Sequence, residues 1–147
     1  MPDILQRVGI EASPDTVYRA ITTIDGLAGW WTTDTRGETG IGGKIKFTFG
    51  GKGFFEMKIL ELKPSSHVLW EVVDGPPEWI GTKIRWDLKL EDGQTTILFK
   101  HEDWREPVEF MHHCTTKWAI FLMSLKSLVE TGTGAAFPND TKIDNWN

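Results

Sequence analysis

Only one cysteine, Cys114, stands in this chain of 147 residues, so no internal disulfide can form and a reduced, cytoplasmic setting is the natural one. No apolar stretch is long enough to cross a membrane or to act as a signal sequence, so membrane insertion is not expected. Basic runs are missing too: 16 Lys and Arg stand against 21 Asp and Glu, a formal charge of −5, and nothing could track a phosphate backbone. Nucleic acid is therefore not an expected partner. The chain shows no internal repeat and no low-complexity segment. One domain around one core is expected, burying about two-thirds of the surface that the unfolded chain exposes. Aromatic residues, by contrast, are abundant. Eight Trp and eight Phe are many for this length, and such side chains line both cores and apolar pockets.

The apolar pattern divides the chain into recognisable elements. A strand is expected over Ile4 to Glu11, then a helix from Pro14 to about Thr23 with Ser13 as N-cap and Val17, Ile21 and Ile24 on its apolar face. A broken helical turn follows, interrupted by Gly26 and Gly29, and reaches Trp30-Trp31. Five further strands are expected at Lys44 to Phe49, Phe54 to Leu62, His67 to Val73, Thr82 to Leu90 and Thr95 to Glu102. A long helix runs from about Val108 to Val129 and ends at Gly132-Thr133-Gly134, where glycine takes the left-handed cap conformation readily. These elements form one domain, 1–134. The tail, 135–147, has no periodicity and is expected to be loosely docked or disordered.

Turn chemistry fixes which side chains face inward. Asp92-Gly93 is a favoured two-residue hairpin turn, which sets Leu88 opposite Ile97, Trp86 opposite Phe99 and Ile84 opposite His101. Arg85, Asp87 and Lys89 then lie on the solvated face. The same alternation turns Ile45, Phe47 and Phe49 inward, with Phe55, Met57 and Ile59, and with Val68, Trp70 and Val72. On the closing helix Phe110, Cys114, Trp118, Phe121, Leu125 and Leu128 recur at three- and four-residue intervals, so that stripe covers the concave face of the sheet.

Several segments, in order along nearly the whole chain, resemble a known family. They are Ser13-Pro14-x-x-Val17-Tyr18-x-Ala20-Ile21-Thr22 with Leu27-x-x-Trp30-Trp31, Ile41-Gly42-Gly43-Lys44-Ile45, Val68-Leu69-Trp70, Thr96-Ile97-Leu98-Phe99-Lys100-His101, and Trp118-x-x-x-Leu122-x-x-Leu125-Lys126. Together they resemble the START-like, or SRPBCC, helix-grip superfamily, and within it the domains named for the activator of heat-shock protein 90 ATPase. The resemblance implies an α+β helix-grip fold. A curved antiparallel sheet of six to seven strands wraps around a long C-terminal helix, with two short helices after the first strand. It also implies an internal pocket where sheet curvature outruns the width of the helix.

The residues expected to line that pocket are Phe47, Phe55, Met57, Trp70, Trp86, Phe99 and His101 from the sheet and Trp118 and Phe121 from the helix, with Trp30 and Trp31 at its mouth. Each has a plainer reading as core. His101 is of a type that titrates near neutrality, yet reads more simply as a hydrogen-bonded wall histidine. His112-His113-Cys114 offers metal-ligand types, but neighbouring helix positions diverge by about 100° and cannot all address one ion, so no metal is expected. Cys114 falls in the apolar stripe and reads as packing. Glu102, Asp103, Glu106 and Glu109 suit the positive end of the helix that follows them. Gly50-Gly51-Lys52-Gly53 lies between strands and is a hairpin loop, not a phosphate loop.

With no cofactor signature and no clear acid–base pair, the sequence points to a non-catalytic binding domain for an apolar, aromatic or lipid-like small molecule. One alternative is a protein-interaction module like the co-chaperone domain that activates the heat-shock protein 90 ATPase. Another is a polyketide cyclase-like enzyme, in which a pocket orients a reactive chain and one His or carboxylate moves protons.

Overall fold

Ser13 and Thr23 organise the first turn of the chain. In the computed structural model, which describes residues 1–147, the Ser13 hydroxyl accepts a hydrogen bond from the Thr16 amide and caps α1 (Pro14–Thr22). Thr23 is extended, ends α1, and accepts from the Gly26 amide to start α2 (Ile24–Trp30). These helices follow β1 (Ile4–Ile10), and Val17, Ile21, Leu27 and Trp30 are the residues they bury.

Seven antiparallel strands form one sheet in the order β1-β7-β6-β5-β4-β3-β2. The remaining strands are β2 (Asp34–Gly37), β3 (Lys44–Thr48), β4 (Phe54–Lys63), β5 (His67–Asp74), β6 (Lys83–Glu91) and β7 (Gln94–Glu102). The hairpin register is the one that the Asp92-Gly93 turn implies, with Leu88 opposite Ile97, Trp86 opposite Phe99 and Ile84 opposite His101. Both turn residues have positive φ, 52° and 78°, as a type I′ turn needs. Strand β2 is the element the pattern did not reveal. Asp34-Thr35-Arg36-Gly37 has no apolar alternation; only Thr35 is buried, and the strand exists because it pairs with β3.

The long helix α3 (Glu109–Thr131) packs across the concave face and buries Cys114, Trp118, Phe121, Leu122 and Leu125. It also clips the outer edge of β1. Lys126 Nζ donates to the Gly9 carbonyl, Gln6 Nε2 donates to the Thr115 carbonyl, and the Glu11 amide donates to the Glu130 carboxylate.

The tail corrects the expectation of a loose end. The Phe137 amide donates to the Trp31 carbonyl (2.8 Å), and its own carbonyl accepts from the Thr33 amide (3.1 Å). The Ala135 amide donates to the Ser124 hydroxyl, and Ala136 and Asp140 are buried. Phe137 meets Phe49 edge-on at 5.4 Å. Isolated anchors hold this segment, and isolated anchors leave no periodic trace in a sequence.

Candidate functional site

Most of the concave face is filled. Phe47, Met57, Trp70, Trp86, Phe99 and His101 are at most 1% exposed. Their rings interlock: Trp70 meets Trp86 edge-on at 5.5 Å, Trp86 meets Phe99 edge-on at 4.9 Å, and Phe99 lies 4.6 Å from Trp118. The structure therefore places these six in the core, away from the walls of the open cavity described below. Trp30 is not at a mouth either. It is fully buried, stacks on Trp31 at 5.7 Å, and its indole N–H donates to the Ala20 carbonyl at 2.9 Å. Alternation reports which side of a sheet a residue occupies, not whether large neighbours close the space beside it.

His101 belongs to a closed hydrogen-bond chain. Trp118 Nε1–H donates to His101 Nδ1 at 3.1 Å, which leaves the ring proton on Nε2, facing the Thr82 hydroxyl at 2.8 Å. Thr82 in turn donates to the Trp79 carbonyl. Burial holds the His101 pKa down at about 3. The imidazole is neutral at physiological pH and has no free nitrogen for proton transfer.

Open space remains at one end, where β3, β4, the β5–β6 connection, α3 and the tail converge. The cavity there has a volume of about 390 Å³. Trp31, at the C-terminal cap of α2, lines it together with Phe49 and Phe55. Phe55 stacks on Trp79 at 3.8 Å, and Trp79 lies nearly parallel to Trp118 at 6.0 Å, so three of the lining rings share one orientation. Phe110, Trp118 and Phe121 supply the helix side, and Asn145, Trp146 and Asn147 of the tail close part of the opening. Of the residues expected from the sequence, Trp31, Phe55, Trp118 and Phe121 are brought together here.

The polar groups of this cavity come from α3, the Lys52 loop and the tail. Lys117 is buried and bonds to Asp140 and to the Thr141 carbonyl (2.9 Å). Burial alone would push the Asp140 carboxyl up, but hydrogen bonds from Lys117 and Lys142 together outweigh it and hold it below the usual range. His113 Nδ1 lies 2.7 Å from Asp144 Oδ2, its ring stacks on Phe110 at 5.9 Å, and Trp146 meets it at 5.5 Å. The hydrogen bond from His113 holds the Asp144 carboxyl below its ordinary range. Cys114 also borders the cavity, but burial pushes its thiol up to about 12, so it is no thiolate near neutrality. No group of three or more His, Cys, Asp or Glu is arranged to hold a metal ion, and His112 points to solvent.

Sequence reasoning did not place Phe49, Phe54, Trp79, Phe110, His113, Lys117 or the tail in this lining. Phe49 and Phe110 were legible as inward-facing. Trp79 lies in a Pro-Pro loop with no period, and Lys117 is a buried charge whose partner, Asp140, lies 23 residues further along the chain.

Comparison with known proteins agrees with this architecture. The family described as activator of Hsp90 ATPase homolog 1-like protein matches residues 11–130. The Aha1 dimer from Colwellia psychrerythraea, solved in solution, is 44% identical, with a TM-score of 0.84 over 91% of this chain and 100% of that one. DynU16, described as a putative protein in the dynemicin biosynthetic locus, is 20% identical with a TM-score of 0.73 over 90% of this chain and 48% of that one. CalU16 from Micromonospora echinospora is 18% identical, with a TM-score of 0.68 over 88% of this chain and 77% of that one. The last two share the fold alone. Comparison with curated proteins gives no match.

Proposed function

This chain belongs to the activator of Hsp90 ATPase homolog 1-like family, and from that premise we propose that it is a non-catalytic binding domain for a flat apolar or aromatic, lipid-like molecule. One observation carries the reading. In a core otherwise filled by interlocked rings, a cavity of about 390 Å³ stays open, walled by Trp31, Phe55, Trp79, Phe110, Trp118 and Phe121. Such walls suit a flat ligand, and the volume is within the roughly 300–1,000 Å³ of small-molecule sites. The histidine of the inward face is locked and neutral, and the cysteine is protonated, so neither supplies an acid–base pair or a nucleophile.

Native mass spectrometry of protein purified from its own source, set against the denatured mass, tests this directly. A retained mass in the small-molecule range is expected. A flat aromatic probe should quench tryptophan fluorescence and bind at least tenfold more weakly to the Phe55→Ala protein. No retained mass together with no quenching would refute the reading.

A second reading, a protein-interaction module, draws support from the family description and from the C. psychrerythraea relative, whose structure is of a dimer. Sedimentation of the purified chain, and its effect on the ATPase rate of a purified heat-shock protein 90, would test it.

A further inference from the structure

His113 is the one cavity residue whose protonation geometry is set by the protein while one ring nitrogen is left without a protein partner. Asp144 lies 2.7 Å from Nδ1, and its other oxygen accepts from the Trp146 amide at 2.9 Å, so the carboxylate is an acceptor only. Nδ1 therefore carries the ring proton, and in the neutral imidazole the lone pair is on Nε2. No protein donor meets Nε2. The ring lies parallel to Phe110 and meets Trp146 edge-on, and His113 borders the aromatic cavity.

The surrounding charges suit an acidic ligand. Besides Cys114, which stays a neutral thiol, the ionisable residues in the cavity lining are Lys52, His113 and Lys117, and no Asp or Glu joins them. Lys117 is committed to Asp140, whereas Lys52 forms no ion pair. Glu109 and His112 of α3 face the polar groove behind His113, which Asp144 of the tail also lines.

We propose that His113, positioned by Asp144, is the polar fixture of the cavity and selects a flat aromatic ligand with an acidic hydroxyl, a phenol or enol, whose proton it accepts. This rests on the cavity-binding reading above. The ligand's O–H bond breaks and an Nε2–H bond forms. The product is a phenolate or enolate beside an imidazolium that Asp144 neutralises, and no further reactant is consumed. Asp144 acts through His113 and is a positioning residue.

The test compares 4-nitrophenol with 4-nitroanisole, the same ring with its hydroxyl methylated, using tryptophan quenching for affinity and the phenolate absorption band for proton transfer. The wild-type protein should bind 4-nitrophenol at least tenfold more tightly than the ether. The phenolate band of bound 4-nitrophenol should appear at lower pH than in free solution. His113→Phe keeps the stacked ring but removes both nitrogens, and should abolish the preference and the spectral shift while still binding both probes. Asp144→Asn should move the bound-probe titration back toward the free value, an effect that a merely structural link would not produce. Equal binding of the two probes by the wild type, or a preference that survives His113→Phe, would overturn the inference and leave the cavity reading standing. Failure of both probes to quench would overturn both.

Discussion

Acid should unfold this protein earlier than its carboxylates alone would require, because of His101. The ring is fully buried, both nitrogens are occupied, and its pKa lies at about 3 against an ordinary 6.5. Below pH 6.5 the unfolded chain takes up a proton that the folded chain refuses, so the unfolded state gains. The contribution of the neutral ring is complete above about pH 6.5 and is lost progressively as the pH falls toward 3. At about 1.36 kcal/mol per pH unit, lowering the pH from 7 to 4.5 should remove about 2.7 kcal/mol through this group alone. Urea melts of the wild type and of His101→Gln at both pH values isolate the effect, since the acid-sensitive carboxylates are common to both proteins. The wild type should lose about 2 to 3 kcal/mol more than the variant over that interval. Parallel losses would show that His101 is accessible to protons in the folded state and that the closed network is wrong.

Trp118→Ala removes a ring from the centre of the core and leaves His101 Nδ1 without its donor, so a loss of about 3 to 5 kcal/mol is expected in denaturant melts; a loss below about 1 kcal/mol would be incompatible with that position. Asp140→Ala leaves the buried Lys117 ammonium without its counter-ion, and about 3 kcal/mol should go, with faster hydrogen exchange in the tail as the local signature. Gly134→Ala should loosen the same segment, because its new methyl would run into the Gly29 carbonyl; increased proteolysis after α3 is the readout, and unchanged proteolysis would refute the close approach. Chelation of divalent ions should leave the melting temperature unchanged, because no group of three or more His, Cys, Asp or Glu is arranged to hold an ion; a large drop would reveal a site.

The parts of the fold that could be read in advance are those governed by a period or by a turn. The Asp92-Gly93 turn alone specifies the β6–β7 register, and one turn-to-turn stripe on α3 specifies its buried face. What escaped notice depended on partners distant in sequence. Thr35 identifies β2 only once β3 lies beside it, and Lys117 looks like a surface residue until Asp140 arrives from the tail. The site divides in the same way. Inward-facing aromatics were legible, but the open space was not, because it depends on how the rings nest. Trp70 and Trp86 close one end of the concave face, whereas Trp79 and Trp146, neither of which lies in a periodic element, frame the end that stays open.

The clasp of α3 on β1 bears on how copies of this protein can assemble. A sheet with two bare edges can add copies indefinitely, one edge receiving what the other offers. Here Lys126 caps the Gly9 carbonyl, and Gln6 and Glu130 tie the β1 edge to α3, which obstructs a strand approaching from that side; β2 forms the opposite edge. Two copies joined through β2 would each use up the less obstructed of their two edges. Strand pairing then closes on a two-fold axis and goes no further, so the same helix that roofs the core also limits growth by this route to a pair.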